Sequence, residues 1–168
     1  MHGDFVDDLV PGIRWDAKYA TWDNFTGKPV DGYLANRIAG TRALCAALAR
    51  ARDKAASLGF GLLLWDGYRP QRAVDCFLRW SKEPQDGRTK PRHYPNISRA
   101  GIFEKGYVAA KSGHSRGSAV DLTLYHLTAG ETNLTQAPIL TFPSHNWAAP
   151  KGSGKALKAL TAGTPEGR

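Results

Sequence analysis

Cysteine, methionine and long apolar runs are what this chain of 168 residues has least of. Two cysteines, Cys45 and Cys76, stand far apart with no C-x-x-C pair. That excludes a disulfide scaffold, a zinc finger and a thioredoxin-type redox site, and leaves two reduced core thiols. No stretch approaches the roughly 20 apolar residues of a membrane span. The opening Met1-His2-Gly3-Asp4 is acidic, with no apolar segment behind it, where a secretory signal is basic then apolar. A soluble, cytoplasmic protein is the expectation. Despite a net charge of +8, there is no uninterrupted basic block, since Arg37, Arg42, Arg50, Arg52, Lys54, Arg69, Arg72 and Arg79 are scattered. Nucleic acid is therefore not the expected partner; the charge equally suits an anionic small substrate. Internal repeats are absent too.

What is present is one domain's worth of patterned sequence. The alternation near Ile13, Trp15 and Ala17 predicts a short strand. From Leu34 to Leu58 the spacing is helical, with Leu34, Ile38, Thr41, Cys45, Leu48 and Ala55 sharing a stripe, and Gly59 is a natural stop. The run Phe60 to Trp65 predicts a buried strand, and Pro70 suits the first turn of a helix that buries Val74, Phe77 and Leu78. Residues 81–101, with Pro84, Pro91 and Pro95, read as a long loop. From Ser118 to Leu127 the pattern alternates, with Val120, Leu122 and Leu124 on one side and Asp121, Thr123 and Tyr125 on the other.

The strongest chemical signal is Ser112-Gly113-His114-Ser115-Arg116-Gly117-Ser118-Ala119-Val120-Asp121. A histidine in a Ser/Gly loop and an aspartate on the following strand can converge across the Gly117 turn. Imidazole nitrogen and carboxylate oxygen are a common pair of zinc ligands, though such a pair also serves as a purely structural hydrogen bond.

The pattern Ser-x-His-x-x-Gly-x-Ala-x-Asp over Ser112 to Asp121 resembles the zinc motif of the D-Ala-D-Ala peptidases and dipeptidases. Trp65-Asp66-Gly67-Tyr68-Arg69-Pro70 is similar to a second hallmark of that group. The stretches from Ile13 to Gly27 and Leu122-Thr123-Leu124-Tyr125 resemble its vancomycin-resistance-type dipeptidases in particular. This likeness runs from about residue 4 to about residue 129. It implies an α+β domain with a small antiparallel sheet carrying the site on one face and helices on the other. It further implies Zn2+ as cofactor, His114 and Asp121 as zinc ligands, Arg69 as transition-state stabiliser, Tyr19 and Ser112 lining the dipeptide site, and D-Ala-D-Ala as substrate.

The resemblance stops where the family places a Glu-x-x-His element carrying the general base and the third ligand. After Asp121 the acidic residues are Glu131 and Glu166 and the histidines His126 and His145, and no pair has that spacing. The expected organisation is a dipeptidase-like domain over 1–129 and a divergent, loosely ordered tail over 130–168, as a frame change or truncation would produce. Two functional readings follow: a zinc dipeptidase acting on cell-wall precursors, as in glycopeptide resistance, or an incomplete paralogue that keeps the fold and weak metal binding without turnover.

Overall fold

A computed structural model describes residues 4–128. The expectations for 130–168, including His145 and the loose tail, lie outside the described residues.

Near the start, β1 (Asp4–Phe5) leads into one turn of helix, α1 (Val6–Leu9), and then β2 (Arg14–Trp15). A short 3-10 turn at Lys18–Ala20 follows, then a long loop to β3 (Ala39–Gly40), which pairs antiparallel with β1. The helix α2 (Arg42–Ala56) begins later than the apolar stripe suggests. Thr41 is its N-cap, with Oγ1 accepting from the Leu44 N–H at 3.2 Å. Upstream of that cap Leu34 is 90% exposed and Ile38 is buried from a loop, so the stripe from Leu34 joined two unrelated segments.

The strand β4 (Phe60–Asp66) and helix α3 (Gln71–Lys82) lie where the apolar run and Pro70 place them. Residues 81–101 are not structureless, because α4 (Lys90–His93) and the start of α5 (Arg99–Glu104) fall within them. Ser98 caps α5 by accepting from the Gly101 N–H at 3.1 Å, and Pro91 sits in the first turn of α4, where its missing N–H costs nothing. After a 3-10 turn at Gly113–Arg116, β5 (Asp121–His126) closes the described chain.

The α+β class holds. In the larger sheet the order is β2-β4-β5, with β4 and β5 antiparallel but β2 and β4 parallel. A parallel pair needs a crossover connection, and the long segment containing α2 supplies it. One core lies between α2 and this sheet, built from Val6, Val10, Ile13, Cys45, Leu48, Leu62 and Leu64. A second, around Phe77, Trp80, Tyr94 and Ile102, packs α3 against α5 and the 94–108 segment. Leu122 packs partly against the first core, but Leu124 is 42% exposed because β5 is an edge strand among the described residues.

The register of β4 against β5 slips once. Leu64 faces Leu122 while Asp66 faces Asp121, so Trp65 is the extra residue. Bulges of this kind re-aim side chains, and here the slip sets two carboxylates side by side at the strand ends.

Candidate active site

Four segments meet at that bulge. The end of β4 contributes Asp66 and Gly67, its exit to α3 contributes Arg69, the 3-10 turn contributes His114, and the start of β5 contributes Asp121. Ser112 caps the turn, its Oγ accepting from the His114 N–H at 3.3 Å. Gly117 ends it at φ +70°, a left-handed conformation that suits glycine and returns the chain towards β5. The Arg69 N–H donates to the His114 carbonyl at 3.2 Å, tying the turn to the strand exit.

His114 is held through Nδ1, which lies 2.9 Å from the carbonyl oxygen of Gly67. A carbonyl only accepts, so Nδ1 carries the proton and the neutral ring presents the Nε2 lone pair. That lone pair faces Oδ1 of Asp121 at 3.5 Å. Two acceptors so placed need a proton or a cation between them. Burial disfavours charge on His114, but the Asp121 carboxylate outweighs it and holds the imidazole pKa above its ordinary value. In Asp121, burial is likewise outweighed by His114 and Arg69, which hold its carboxyl below the usual range.

Arg69 is only 5% exposed. Its Nε and Nη2 donate to Oδ2 of Asp66 at 2.9 and 2.6 Å, and Nη2 also stands 3.6 Å from Oδ2 of Asp121. The other Asp66 oxygen accepts from the Tyr33 hydroxyl at 2.8 Å and the Gly67 N–H at 3.0 Å. Burial pushes the Asp66 carboxyl up. The charge of Arg69, that of His114 and the hydrogen bonds from Tyr33 and Arg69 act the other way and favour the carboxylate. Tyr19 and Phe77 cover the guanidinium, with ring centroids 5.4 and 5.6 Å from its carbon. Burial keeps the Tyr19 phenol protonated.

Asp66, His114 and Asp121 place donor atoms within 4.8 Å of one another, a set able to hold a metal ion. Their chemistry separates them. Asp66 has both oxygens engaged by other donors, whereas His114 Nε2 and Asp121 are open, with the Asp121 side chain 41% exposed. Two ligands about 2.0–2.2 Å from a tetrahedral zinc stand roughly 3.3–3.6 Å apart, and the Nε2–Oδ1 separation meets that. The imidazole tethered through its other nitrogen to a carbonyl is the usual outer-shell arrangement of a metal-binding histidine. A zinc ion fits these two residues, and no third open donor joins them among the described residues.

The structure thus brings Arg69, His114 and Asp121 together and places Tyr19 against the guanidinium. Ser112 acts locally as a cap. Asp66 and Tyr33 were missed in the sequence. Asp66 stands three positions before Arg69, a spacing that hints at a pair, while nothing local marks Tyr33, which arrives from a distant loop.

A family model described as D-ala-D-ala dipeptidase matches residues 2–134. A D-alanyl-D-alanine dipeptidase of Streptomyces coelicolor is 80% identical over 133 residues, covering 78% of this chain and 66% of the relative. One of Enterococcus faecalis is 66% identical over 127 residues, covering 76% of this chain and 63% of the relative. A more distant one, from Escherichia coli, is 31% identical over 116 residues, covering 69% of this chain and 50% of the relative. The chain belongs to the D-Ala-D-Ala dipeptidase family, and it spans just under two thirds of the length of the Streptomyces and Enterococcus relatives.

Proposed function

We propose that this chain carries the zinc and oxyanion half of a D-alanyl-D-alanine dipeptidase. The single observation that supports this most is the open Nε2 of His114 facing Asp121 at 3.5 Å, with the Arg69 guanidinium beside both. The relatives, which are D-alanyl-D-alanine dipeptidases, support that substrate class for this chain. Such a role belongs to cell-wall precursor metabolism and glycopeptide resistance in the cytoplasm, a compartment in keeping with the unpaired, buried Cys45 and Cys76.

In this reading His114 through Nε2 and Asp121 through a carboxylate oxygen hold the metal, with Gly67 fixing the imidazole tautomer. Bound zinc supplies a Lewis acid for the peptide carbonyl and a water of lowered pKa. Arg69 binds the negative oxygen that develops as that carbonyl becomes tetrahedral. Its Nη1 makes no hydrogen bond among the described residues, so that donor is available to the oxyanion. Loss of a donor of this kind costs about 3–4 kcal/mol of transition-state stabilisation. The aromatic cover of Tyr19 and Phe77 keeps the guanidinium dry, which strengthens its interaction.

One observation favours a second reading, an incomplete paralogue that binds zinc weakly without turnover. The sequence has no Glu-x-x-His after Asp121 to act as base and third ligand. Free D-alanine released from D-Ala-D-Ala by the purified chain with added zinc separates the two. Release abolished by a chelator and by His114→Ala supports the dipeptidase. No release, with zinc still bound at His114 and Asp121, supports the paralogue.

A further inference from the structure

We infer that Tyr33 and Asp66 are positioning residues that fix the aim of the Arg69 guanidinium beside His114 and Asp121. The inference deepens the reading of Arg69 as oxyanion donor and rests on it.

Asp66 is 1% exposed, and both of its oxygens are committed. Oδ2 takes Nε and Nη2 of Arg69, while Oδ1 takes the Tyr33 hydroxyl and the Gly67 N–H. Torsion about the bond to a carboxylate is soft, with broad rather than sharp minima. Something must therefore stop the carboxylate turning and carrying the guanidinium with it. The Gly67 N–H is part of the same strand exit and shifts with it. Tyr33 is anchored elsewhere, by its N–H donating to the Val30 carbonyl at 3.1 Å and by its ring against Tyr19 at 5.4 Å. Among the described residues, its hydroxyl makes the one hydrogen bond to the Asp66 carboxylate that comes from a distant part of the chain.

The reason for such an anchor is a competing carboxylate. Nη2 of Arg69 stands 3.6 Å from Asp121, which is more exposed and faces His114. A guanidinium released by Asp66 would close on Oδ2 of Asp121 and turn the carboxylate whose Oδ1 faces His114. The rings of Tyr19 and Phe77 limit tilting of the guanidinium but not rotation in its own plane. Asp66, oriented by Tyr33, sets that rotation.

The test uses nitrogen-15 NMR of the full chain and needs no substrate. The Arg69 Nε–Hε resonance is identified by its loss in Arg69→Lys. In the wild type it should exchange with water at least about tenfold more slowly than that of Arg88, whose pair with Asp86 is exposed. In Tyr33→Phe, with the amide spectrum retained, its exchange should accelerate about tenfold and its shift should move. A merely structural Tyr33 would lower stability yet leave the Arg69 signal of the folded molecules in place. A folded Tyr33→Phe whose Arg69 exchange stays within about twofold of wild type overturns the inference. Should that variant not fold, the wild-type comparison decides, because an Arg69 signal exchanging as fast as that of Arg88 overturns it equally. Absent dipeptide hydrolysis with a slow, Tyr33-dependent Arg69 signal would refute the activity and leave the positioning intact.

Discussion

His114 Nε2 and Asp121 Oδ1 stand 3.5 Å apart across the Gly117 turn, one from a 3-10 turn and the other from the start of β5. Backbone features produce it. The Gly67 carbonyl fixes which imidazole nitrogen is open, and the β4–β5 bulge brings Asp121 level with Asp66. Arg69 then lies between the two carboxylates and offsets part of their repulsion.

The Asp66–Arg69 pair is the most deeply buried ion pair at the site, with side chains 2% and 6% exposed. Replacing one partner leaves the other charge buried without compensation, so Asp66→Asn should destabilise by about 3–5 kcal/mol. Urea unfolding measures this. The double variant Asp66→Leu with Arg69→Met, which removes both charges, should be less destabilised than the single one. A single variant within about 0.5 kcal/mol of wild type would show that the pair is not desolvated.

Gly67 is a glycine for lack of room. A Cβ there would meet the Ala39 carbonyl oxygen and Ile38 Cγ2, both at 2.6 Å, and neither is the end of a flexible chain. Gly67→Ala should cost about 1–3 kcal/mol through overpacking. Because the same residue orients His114, zinc affinity should also fall at least about tenfold. Gly113→Ala, where a Cβ meets nothing within 4 Å, is the control and should stay within about 0.5 kcal/mol of wild type. Chemical denaturation and zinc titration read both effects.

How much of this was legible in the sequence varied with distance along the chain. The strand β4, the helix α3 and the turn carrying His114 follow from local apolar runs, Pro70 and Gly117. The start of α2 was misplaced because periodicity ignores caps, whereas Thr41 stops the helix whatever lies upstream. Helices α4 and α5 are short, and their signals, Pro91 and Ser98, are lost among the prolines of that segment. The parallel pairing of β2 with β4 and the bond from Tyr33 to Asp66 join distant residues, and no single-sequence pattern encodes such contacts.

His93 supplies a pH dependence away from the proposed metal site. Burial, together with the charges of Arg92 and Lys18, lowers its pKa below 6.5, although Asp23 at 3.5 Å acts the other way. Below 6.5 the unfolded chain therefore binds a proton that the folded chain resists, so stability falls with falling pH in that window. The stability of wild type minus that of His93→Gln should decrease between about pH 7.5 and about pH 5.5 by urea unfolding. Asp23 adds the same sign at lower pH. Burial favours its neutral form, but Lys18, Arg92 and His93 hold its carboxyl below 3.8, and that stability is lost as pH falls through the folded value. A difference that rises on acidification would contradict the assignment.

Zinc titration of the metal-free chain, compared with His114→Ala and Asp121→Ala, bears most directly on all of this. The prediction is a single zinc per chain, with each substitution weakening binding at least about tenfold while circular dichroism shows the fold retained. Zinc bound with unchanged affinity by both variants would place the metal elsewhere and remove the basis for the dipeptidase reading.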